Sequence, residues 1–280
     1  MSASGLTIAD VQQPAWRVSP RVRALVTTRN GGVSQPPFGR WADGVDAPGG
    51  LNLGRRAGDD PDAVEINRTR LLALTGAPAA WLEQIHGAQV VNAADVLEGA
   101  REGAAPVRAD ASVTDQPGTM CIVMIADCMP VLLCDANGRA VGAAHAGWRG
   151  LAAGIVEKTA ARVAQLAGSG LEGLHAYLGP SIGPNAFEVG ADVRDAFMNG
   201  VDGAQRDATS KAFVPRAEWP GKYLADLPAL ARIRLNQIGV TQITGADACT
   251  VTGRSRFYSY RRDAETGRMA AMIWLADRAG

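Results

Sequence analysis

Three side chains that can bind a metal ion or act as nucleophiles lie at predicted boundaries of secondary-structure elements. His86 lies in the segment EQIHG before a predicted strand, Cys128 in ADCMP where an apolar stretch is interrupted, and His145 in HAGWRG at the end of another strand. In α/β folds, ligands bind at the ends of strands and in the turns that follow them. Because Cys128 and His145 end neighbouring predicted strands, we expect their side chains to converge.

Two imidazoles and one thiolate are a sufficient ligand set for a catalytic zinc ion, since three protein ligands leave the fourth position open for water or substrate. The residues alone leave other interpretations open. A buried cysteine is commonly a small apolar side chain, and a histidine on a strand is commonly hydrogen-bonded within the core. The same ligands could also hold copper, with Met124 or Met129 as the axial ligand.

Two polar residues beside these segments are candidates for catalysis. Asp127 lies in an apolar stretch next to Cys128, where a carboxylate needs either a hydrogen-bonding partner or a function. It could orient a metal ligand or act as a general base, or it could simply cap the interruption of the strand. Arg149 lies at a predicted helix start, where free N–H groups and a guanidinium can bind phosphate. The alternative there is an ordinary strand-to-helix turn.

The composition of the chain argues against several classes of function. It has 280 residues, with 28 Lys and Arg and 28 Asp and Glu, so it lacks the basic excess of a typical nucleic-acid-binding protein. Its three histidines are too few for a multicopper oxidase, which needs on the order of ten imidazoles. Its four cysteines form no CxxC pair, which indicates reduced thiols. No apolar run reaches the ~18 residues of a membrane helix and no signal peptide is evident, so we expect a cytoplasmic location.

The elements that must position these residues are predicted to be a mixture of strands and helices. The apolar stretch 119–134 is too rich in β-branched residues for one helix and is predicted to form two strands interrupted at 127–130. Strands are also predicted at 23–28, 90–91, 139–146 and 174–178, and helices at 61–74, 150–167 and 224–238. A turn is predicted at 29–32, a long loop at 34–50, and a closing hairpin from strands 255–260 and 269–275. The fold class is therefore mixed α/β (α+β).

Seven short segments, in this order, resemble one known family. They are TTRNGGVS at 27–34, LNLG at 51–54, QIHG at 84–87, ADCMP at 126–130, HAGWRG at 145–150, GPSIGP at 179–184 and SYRR at 259–262. In these motifs the chain resembles the YfiH/laccase-domain family, also called the polyphenol oxidase or peptidoglycan editing factor family. The resemblance extends from about Thr27 to Leu275, and it favours the zinc interpretation.

The resemblance implies a fold, a site and an activity. It implies a four-layer αββα arrangement of mixed sheets in a single catalytic domain, residues 23–280, after an N-terminal extension of residues 1–22. It implies that His86, Cys128 and His145 bind zinc. The older laccase name implies copper instead, and the small number of histidines argues against a multicopper mechanism. The enzyme implied is a purine nucleoside phosphorylase that acts on adenosine, inosine and methylthioadenosine with phosphate, and that also has adenosine deaminase activity.

Further residues acquire expected roles on the same basis. Arg149, together with Arg29 or Arg262, is expected to bind phosphate, and Asn52 a ribose hydroxyl or the edge of the base. Asp127 is expected to orient a metal ligand or to move a proton. The partners expected are thus a small nucleoside and phosphate, with no nucleic acid and no membrane, and a monomer is favoured. Arg262 could instead belong to a solvated run of charges.

Other functions remain compatible with the same site. One is a peptidoglycan editing hydrolase that cleaves the amide of a wrongly charged UDP-MurNAc-amino acid precursor. Others are a copper-dependent polyphenol oxidase and a non-catalytic metal-binding protein. Two departures from the family pattern bear on the substrate: the segment 34–50 looks longer than usual and could alter a lid, and Phe187 lies where the family often has a tyrosine.

Overall fold

The computed structural model describes residues 5–277. The strands are β1 (Val11–Gln12), β2 (Val22–Thr27), β3 (Asn30–Ser34), β4 (Arg40–Ala42), β5 (Val45–Ala47), β6 (Ala79–Ala80), β7 (Val90–Asn92), β8 (Ala111–Thr114), β9 (Met120–Ile125), β10 (Met129–Asp135), β11 (Val141–Ala146), β12 (Leu174–Leu178), β13 (Glu188–Gly190), β14 (Phe213–Pro215), β15 (Lys222–Ala225), β16 (Gln242–Gly245) and β17 (Met269–Leu275). The helices are α1 (Pro61–Thr75), α2 (Ala93–Arg101), α3 (Trp148–Ala152), α4 (Ile155–Ala167), α5 (Ala191–Met198), α6 (Gly203–Lys211), α7 (Leu227–Gln237) and α8 (Tyr260–Asp263).

Two mixed sheets form the centre of the fold. One has the strand order β1-β2-β17-β9-β6, and the other has the order β16-β12-β10-β11-β8-β7. Each contains a run of antiparallel strands with a parallel strand at its edge: β6 beside β9 in the first sheet, and β7 beside β8 and β16 beside β12 in the second. A three-stranded sheet of β13, β15 and β14 and the β4–β5 hairpin complete the strand pairing.

The alternation of side chains along β9 and β10 builds four layers. In β9, Cys121 faces the core between the two sheets while Ile122 packs with Leu71 of α1 on the outer side. In β10, Leu132 faces the same inter-sheet core, whereas Leu133 packs in the cluster that includes α4 and α7. The layers are therefore helix α1, first sheet, second sheet, and helices α4 and α7, which confirms the expected αββα arrangement of a mixed α/β fold.

Helix α1 forms where the sequence predicts it and shows why. The Asp60 side chain accepts a hydrogen bond from the backbone N–H of Asp62, and Pro61 occupies the first turn, where a missing N–H group is harmless. At the other end Gly76 adopts a left-handed conformation with φ of 67°, which ends the helix. Such an N-cap contributes about 1 kcal/mol.

Four predicted elements are corrected by the structure. The helix predicted at 150–167 is two helices, α3 and α4, because Gly154 between them has a φ of 85° and interrupts the helix. Asn30–Ser34 forms strand β3 rather than a turn, and the segment 34–50 contains the β4–β5 hairpin. Leu224 belongs to β15, so the helix predicted from 224 begins at Leu227.

The predicted closing hairpin is also wrong. Strand β17 pairs with β2 and β9 in the middle of the first sheet, and residues 255–259 form no strand. The reason is the Arg262 guanidinium, which donates to the backbone carbonyls of Thr250, Val251 and Phe257 and folds this segment into a compact loop.

The described part of the segment before Arg23 packs on the domain. Leu6 is buried in the cluster beneath α1, β1 pairs with β2, and the Trp16 ring meets the ring of Tyr177. Within residues 5–277, no helix combines the length and apolar character needed to cross a membrane.

Candidate functional site

The three predicted metal ligands meet at one edge of the second sheet. Cys128 lies directly before β10 and His145 lies near the end of β11, where Pro130 pairs with His145 across the antiparallel ladder. His86 comes from the loop between β6 and β7 and places its ring 4.8 Å from that of His145. One ligand atom from each of His86, Cys128 and His145 lies within 4.8 Å of the other two. Among the described residues, no other group of three His, Cys, Asp or Glu is arranged this way.

Gly147 leaves the space in which the three side chains converge. A Cβ atom at this position would lie 2.9 Å from the Cys128 sulfur and 3.3 Å from a carbon of the His86 ring. Any larger residue would therefore displace two of the three ligands. The turn after β11 needs glycine here because of the site, not because of its backbone angles, since the φ of Gly147 is −66°.

Asp110 is buried behind the site and fixes both histidines. Its carboxylate accepts hydrogen bonds from the backbone N–H groups of His86 and Gly87 at 2.9 and 2.7 Å, and from that of Ile85 at 3.2 Å. It also lies 2.9 Å from Nδ1 of His145. Because an ionised carboxylate only accepts hydrogen bonds, His145 must carry its proton on Nδ1, which leaves Nε2 for a metal ion.

Asp110 is not among the site residues predicted from the sequence. A usable signal was present, because the residue lies between Ala109 and Ala111 at the start of a buried strand, and a carboxylate there needs a partner as much as Asp127 does. Burial tends to raise the pKa of Asp110, but the hydrogen bonds from His145 and Gly87 outweigh it and the pKa is lowered. The group is thus held as the carboxylate.

The electrostatics of the site favour a thiolate. Burial alone would raise the pKa of the Cys128 thiol, but His145 and His86 outweigh burial and lower it to about 6. Burial would lower the pKa of His145, yet Cys128 and Asp110 raise it to about 9. A thiolate is the form of cysteine that binds a metal, and a metal would take the place of the second proton on His145.

This donor set fits zinc. Two imidazole nitrogens and one thiolate at a cavity wall are ligands that zinc prefers in catalytic sites, and they leave a position open. Met124, one of the two axial ligands considered for copper, lines the same cavity. The other, Met129, is fully buried in the core on the outer side of the second sheet.

Asp127 joins the site to the segment before β17. Its two carboxylate oxygens accept from the Thr250 hydroxyl at 2.5 Å and from the backbone N–H of Arg261 at 2.6 Å. Its φ is 88°, and that of His86 is 60°. Non-glycine residues rarely adopt such angles, and they do so mostly at sites where the surrounding contacts enforce them.

The ligands open into a cavity of about 1190 Å³ that is rich in positive charge. Six arginines line it: Arg55, Arg56, Arg68, Arg149, Arg261 and Arg268. Only two carboxylates, Glu83 and Asp127, do so. Because the chain as a whole is neutral, this excess is local and favours an anionic ligand.

Four aromatic rings line the same cavity, those of Trp81, Trp148, Phe187 and Tyr260. A guanidinium lies over each ring, at distances from 3.9 Å for Arg68 over Trp81 to 5.9 Å for Arg268 over Tyr260. Flat apolar surfaces beside cations suit a ligand that combines a planar ring with an anion.

Of the predicted anion-binding residues, the structure brings only Arg149 to the cavity. Its side chain is exposed, lies 4.3 Å from the centre of the Trp148 ring and makes no hydrogen bond or ion pair with any residue in the range 5–277. The expected contribution of a helix N-terminus is small, because α3 has five residues and its dipole is correspondingly weak.

The structure does not bring Arg29, Asn52 and Arg262 to the cavity wall, and their polar groups bind other parts of the chain. Arg29 is 1% exposed and donates to the carbonyl of Gly39 and to Asp46. Arg262 holds the loop before α8, as described above. Asn52 is fully buried, and its side chain oxygen accepts from the backbone N–H groups of Gly54 and Arg268.

The two departures from the family pattern differ in position. No residue of the segment 34–50 lines the cavity, so the structure gives no support to a lid formed by that segment. Phe187 does line it, with its ring beneath the Arg261 guanidinium at 5.6 Å. A lost phenolic hydroxyl at this position therefore falls at the cavity wall.

Comparisons with known proteins find relatives along nearly the whole chain. The family described as multi-copper polyphenol oxidoreductase laccase matches residues 23–276. The chain is 49% identical to a protein of Pseudomonas aeruginosa named purine nucleoside phosphorylase, over 94% of this chain and 98% of that protein. It is also 49% identical to the Escherichia coli protein named purine nucleoside phosphorylase YfiH, over 94% of this chain and 97% of that one.

Solved structures share the fold. A protein of Neisseria meningitidis superposes with a TM-score of 0.83 at 45% identity, covering 95% of this chain and 99% of its own. YlmD from Geobacillus stearothermophilus superposes with a TM-score of 0.78 at 30% identity, covering 96% and 99%.

Proposed function

The chain belongs to the multi-copper polyphenol oxidoreductase laccase family, and from this premise we propose that it is a zinc-dependent purine nucleoside phosphorylase with adenosine deaminase activity. The substrates proposed are adenosine, inosine and methylthioadenosine. The observation that carries the proposal is the position of the His86, Cys128 and His145 group in the wall of an arginine-lined cavity with aromatic surfaces.

Phosphorolysis needs groups that bind phosphate and surfaces that bind a purine base, and this cavity has both. An oxygen of orthophosphate forms a bond to C1′ of the ribose while the bond from C1′ to the purine nitrogen breaks. The electron pair leaves with the purine, which takes up a proton, so the products are the free base and ribose 1-phosphate. Arginines of the cavity can hold the anionic reactant, and its aromatic rings can hold the base.

Zinc held by His86, Cys128 and His145 would supply a Lewis acid at this wall. The protein's own contribution there is orientation: Asp110 keeps the proton of His145 on Nδ1 and fixes the backbone of the His86 loop. Asp127 orients Cys128 through its contacts with Thr250 and Arg261. Because both of its oxygens already accept hydrogen bonds, we assign Asp127 a positioning role in preference to a role in proton transfer.

Arg149 is proposed as a contact for the substrate at the rim of the cavity. Its guanidinium is exposed and adjoins the Trp148 ring, so it can reach a ligand without breaking an ion pair. In the proposed deaminase reaction, water replaces the 6-amino group of adenosine and releases ammonia and inosine. That reaction uses the same metal ligands and needs no phosphate.

The metal is proposed to be zinc although the family description refers to several copper ions. A multicopper mechanism needs on the order of ten imidazoles, and the chain has three histidines. The third, His175, lies on β12 opposite Cys134 and is not part of the metal-binding group.

A cytoplasmic location is proposed because all four cysteines are free, as in a reducing compartment.

A second candidate is the peptidoglycan editing hydrolase. The observation that favours it is the cavity volume, about 1190 Å³, since drug-sized ligands occupy cavities of roughly 300–1,000 Å³. A UDP-linked precursor is large and strongly anionic, and it would use the same arginines. This reaction hydrolyses an amide and does not consume phosphate.

The test compares product formation with and without phosphate. Metal-analysed wild-type protein and Cys128→Ser are incubated with adenosine, and the products are separated by chromatography. We expect adenine and ribose 1-phosphate from the wild type only when phosphate is present, inosine in either condition, and none of these products from Cys128→Ser. No turnover of adenosine, inosine or methylthioadenosine by the zinc-loaded protein would overturn it and favour the cell-wall precursor.

A further inference from the structure

Arg68 is a buried cation without a carboxylate partner. It is 6% exposed, although it lines the cavity. Its Nε donates to the carbonyl of Leu53 at 2.9 Å, one terminal nitrogen lies 3.8 Å from the sulfur of Met124, and the group stacks over the Trp81 ring. Within residues 5–277 it forms no ion pair, and its second terminal nitrogen has no hydrogen-bond partner. Burying a charge without a counter-ion is unfavourable, so this arrangement calls for an anion from outside.

Arg268 is a second cation of the same kind. It lines the cavity, is partly buried and has no carboxylate at ion-pair distance among the described residues. One terminal nitrogen donates to the carbonyls of Thr266 and Gly267. Burial lowers the pKa of Arg268, and burial likewise lowers that of Arg68, to about 10. The charges of Cys128 and Asp127 act on Arg268, which places it beside the metal ligands.

The two arginines flank one short piece of backbone. Arg68 binds the carbonyl of Leu53, while the backbone N–H of Leu53 donates to the carbonyl of Arg268. A Cβ atom on Gly54 would lie 2.7 Å from Cγ of Arg268, so the arginine stem approaches the backbone where only glycine fits. The buried Asn52 locks this geometry through its bonds to the N–H groups of Gly54 and Arg268.

The other four cavity arginines are placed differently. Arg55 and Arg56 are paired with Glu65 and Glu83 and are mostly exposed. Arg149 and Arg261 are exposed. Arg68 and Arg268 are thus the two cations of the cavity that are shielded from water and have no carboxylate at ion-pair distance among the described residues, which are conditions that favour binding of an anion.

We propose that Arg68 and Arg268, with Gly54 between them, form the binding subsite for orthophosphate. The proposal rests on the proposed phosphorolysis and adds the place at which its second substrate binds. Asn52 is a positioning residue of this subsite. A guanidinium fork on either side can bind two oxygens of a tetrahedral dianion, which a compact ammonium group does less well.

The test measures the binding of phosphate in two ways, by enzyme kinetics and by thermal unfolding. The zinc-loaded variants Arg68→Gln and Arg268→Gln are expected to raise the KM for phosphate by about tenfold or more, a larger change than in the KM for adenosine. Orthophosphate alone should raise the unfolding temperature of the wild type, because it binds only the folded state, and this increase should disappear in both variants. Arg68→Lys should be intermediate in both measurements.

The matched control is Arg70→Gln. Arg70 lies on the same helix, donates to the carbonyls of Gly31 and Gly32 and does not line the cavity, so the KM for phosphate should stay at the wild-type value. A normal KM for phosphate in Arg68→Gln and Arg268→Gln, in a protein that does carry out phosphorolysis, would overturn the subsite and leave the function intact. If AMP replaces adenosine as the substrate and only its KM responds to the variants, the subsite binds a phosphate carried by the nucleotide and the proposal for orthophosphate is wrong. If the wild type makes no ribose 1-phosphate, the thermal measurement still decides whether orthophosphate binds at this pair.

Discussion

The cavity has two charged sides, and the protein holds them in opposite ways. On the metal side, the fully buried Asp110 carboxylate ties His86 and His145 in place, and a thiolate completes the group. On the anion side, Arg68 and Arg268 are held by backbone carbonyls and aromatic rings, and no carboxylate of residues 5–277 lies at ion-pair distance.

This difference shows what each side is prepared to receive. The metal side concentrates acceptors and negative charge, which stabilise a bound cation. The anion side holds donors that form no ion pair within residues 5–277, so a ligand can supply the counter-charge. A reaction between a neutral nucleoside and a dianion, next to a metal ion, uses both sides at once.

The largest effect should come from removing the thiolate. Cys128→Ala takes away one of three metal ligands, and we expect loss of bound zinc and loss of both activities. Metal analysis after gel filtration, together with the product assay, measures this. Removal of the sulfur atom should not affect the anion side, so orthophosphate should still raise the unfolding temperature of Cys128→Ala. Turnover at the wild-type rate in a metal-free Cys128→Ala protein would contradict the role of the metal side.

The next largest effect should come from Asp110→Asn. An amide cannot accept all four hydrogen bonds, and it can donate to Nδ1 of His145 and so move that ring's proton to the metal-binding nitrogen. Zinc affinity should fall by about 10–100-fold, as for other groups that support metal ligands. Competition with a chelator measures the affinity. Asp115→Asn, on an exposed loop, is the control and should keep the wild-type affinity.

A smaller effect is expected from Gly54→Ala on the anion side. The added methyl group meets the Arg268 stem at 2.7 Å, and the flexible side chain must move away. Overpacking of this kind costs about 1 kcal/mol or more, which corresponds to roughly a fivefold increase in the KM for phosphate. Zinc content should be unchanged. An equal loss of zinc would show that the two sides are not independent.

The smallest effect on function should come from Asp135→Asn, at the end of β10 remote from Cys128. Burial raises the pKa of Asp135, but hydrogen bonds from Arg139 and from backbone N–H groups outweigh it and the pKa is lowered. A lowered pKa means that the carboxylate stabilises the folded state above its unfolded pKa of about 3.9, and that this contribution is lost as the pH falls through the folded value.

The Asn variant should therefore be less stable than the wild type by about 1–2 kcal/mol at pH 7, and the difference should shrink below about pH 4. Denaturant unfolding at both pH values checks this. Zinc affinity and the KM for phosphate should match the wild type at pH 7. The loss of stability would then occur without a change at either side of the cavity. If the difference in stability between wild type and Asp135→Asn grows on acidification, the pKa of Asp135 is not lowered in the folded state and this prediction is wrong.

The sequence predicts the metal side better than the anion side for a physical reason. His86, Cys128 and His145 are rare residue types at strand ends, and short-range patterns place those ends correctly. Strands β9 and β10 were predictable because an apolar, β-branched stretch cannot continue through the interruption before Pro130. The four-layer arrangement followed from the family resemblance.

The anion side was not predictable by the same means. Arg68 is one of several arginines on or near α1, and Arg268 lies 200 positions further on in the chain. Only the tertiary fold shows that both flank Gly54. Arginine is also the residue that satisfies internal carbonyls, as Arg29 and Arg262 do, so residue type alone cannot distinguish a ligand contact from a structural one. The interruption of the predicted helix at Gly154 and the loop held by Arg262 likewise depend on the conformation of the folded chain, which the local sequence pattern does not show.

The most direct test of the two sides of the cavity is a structure from crystals grown with zinc and orthophosphate, with diffraction data collected on both sides of the zinc absorption edge. We expect an anomalous peak bound by His86, Cys128 and His145, and phosphate density between the guanidinium groups of Arg68 and Arg268. Zinc at another place, or phosphate bound at Arg149 and Arg261 while Arg68 and Arg268 contact no anion, would contradict the division of the cavity into a cation side and an anion side.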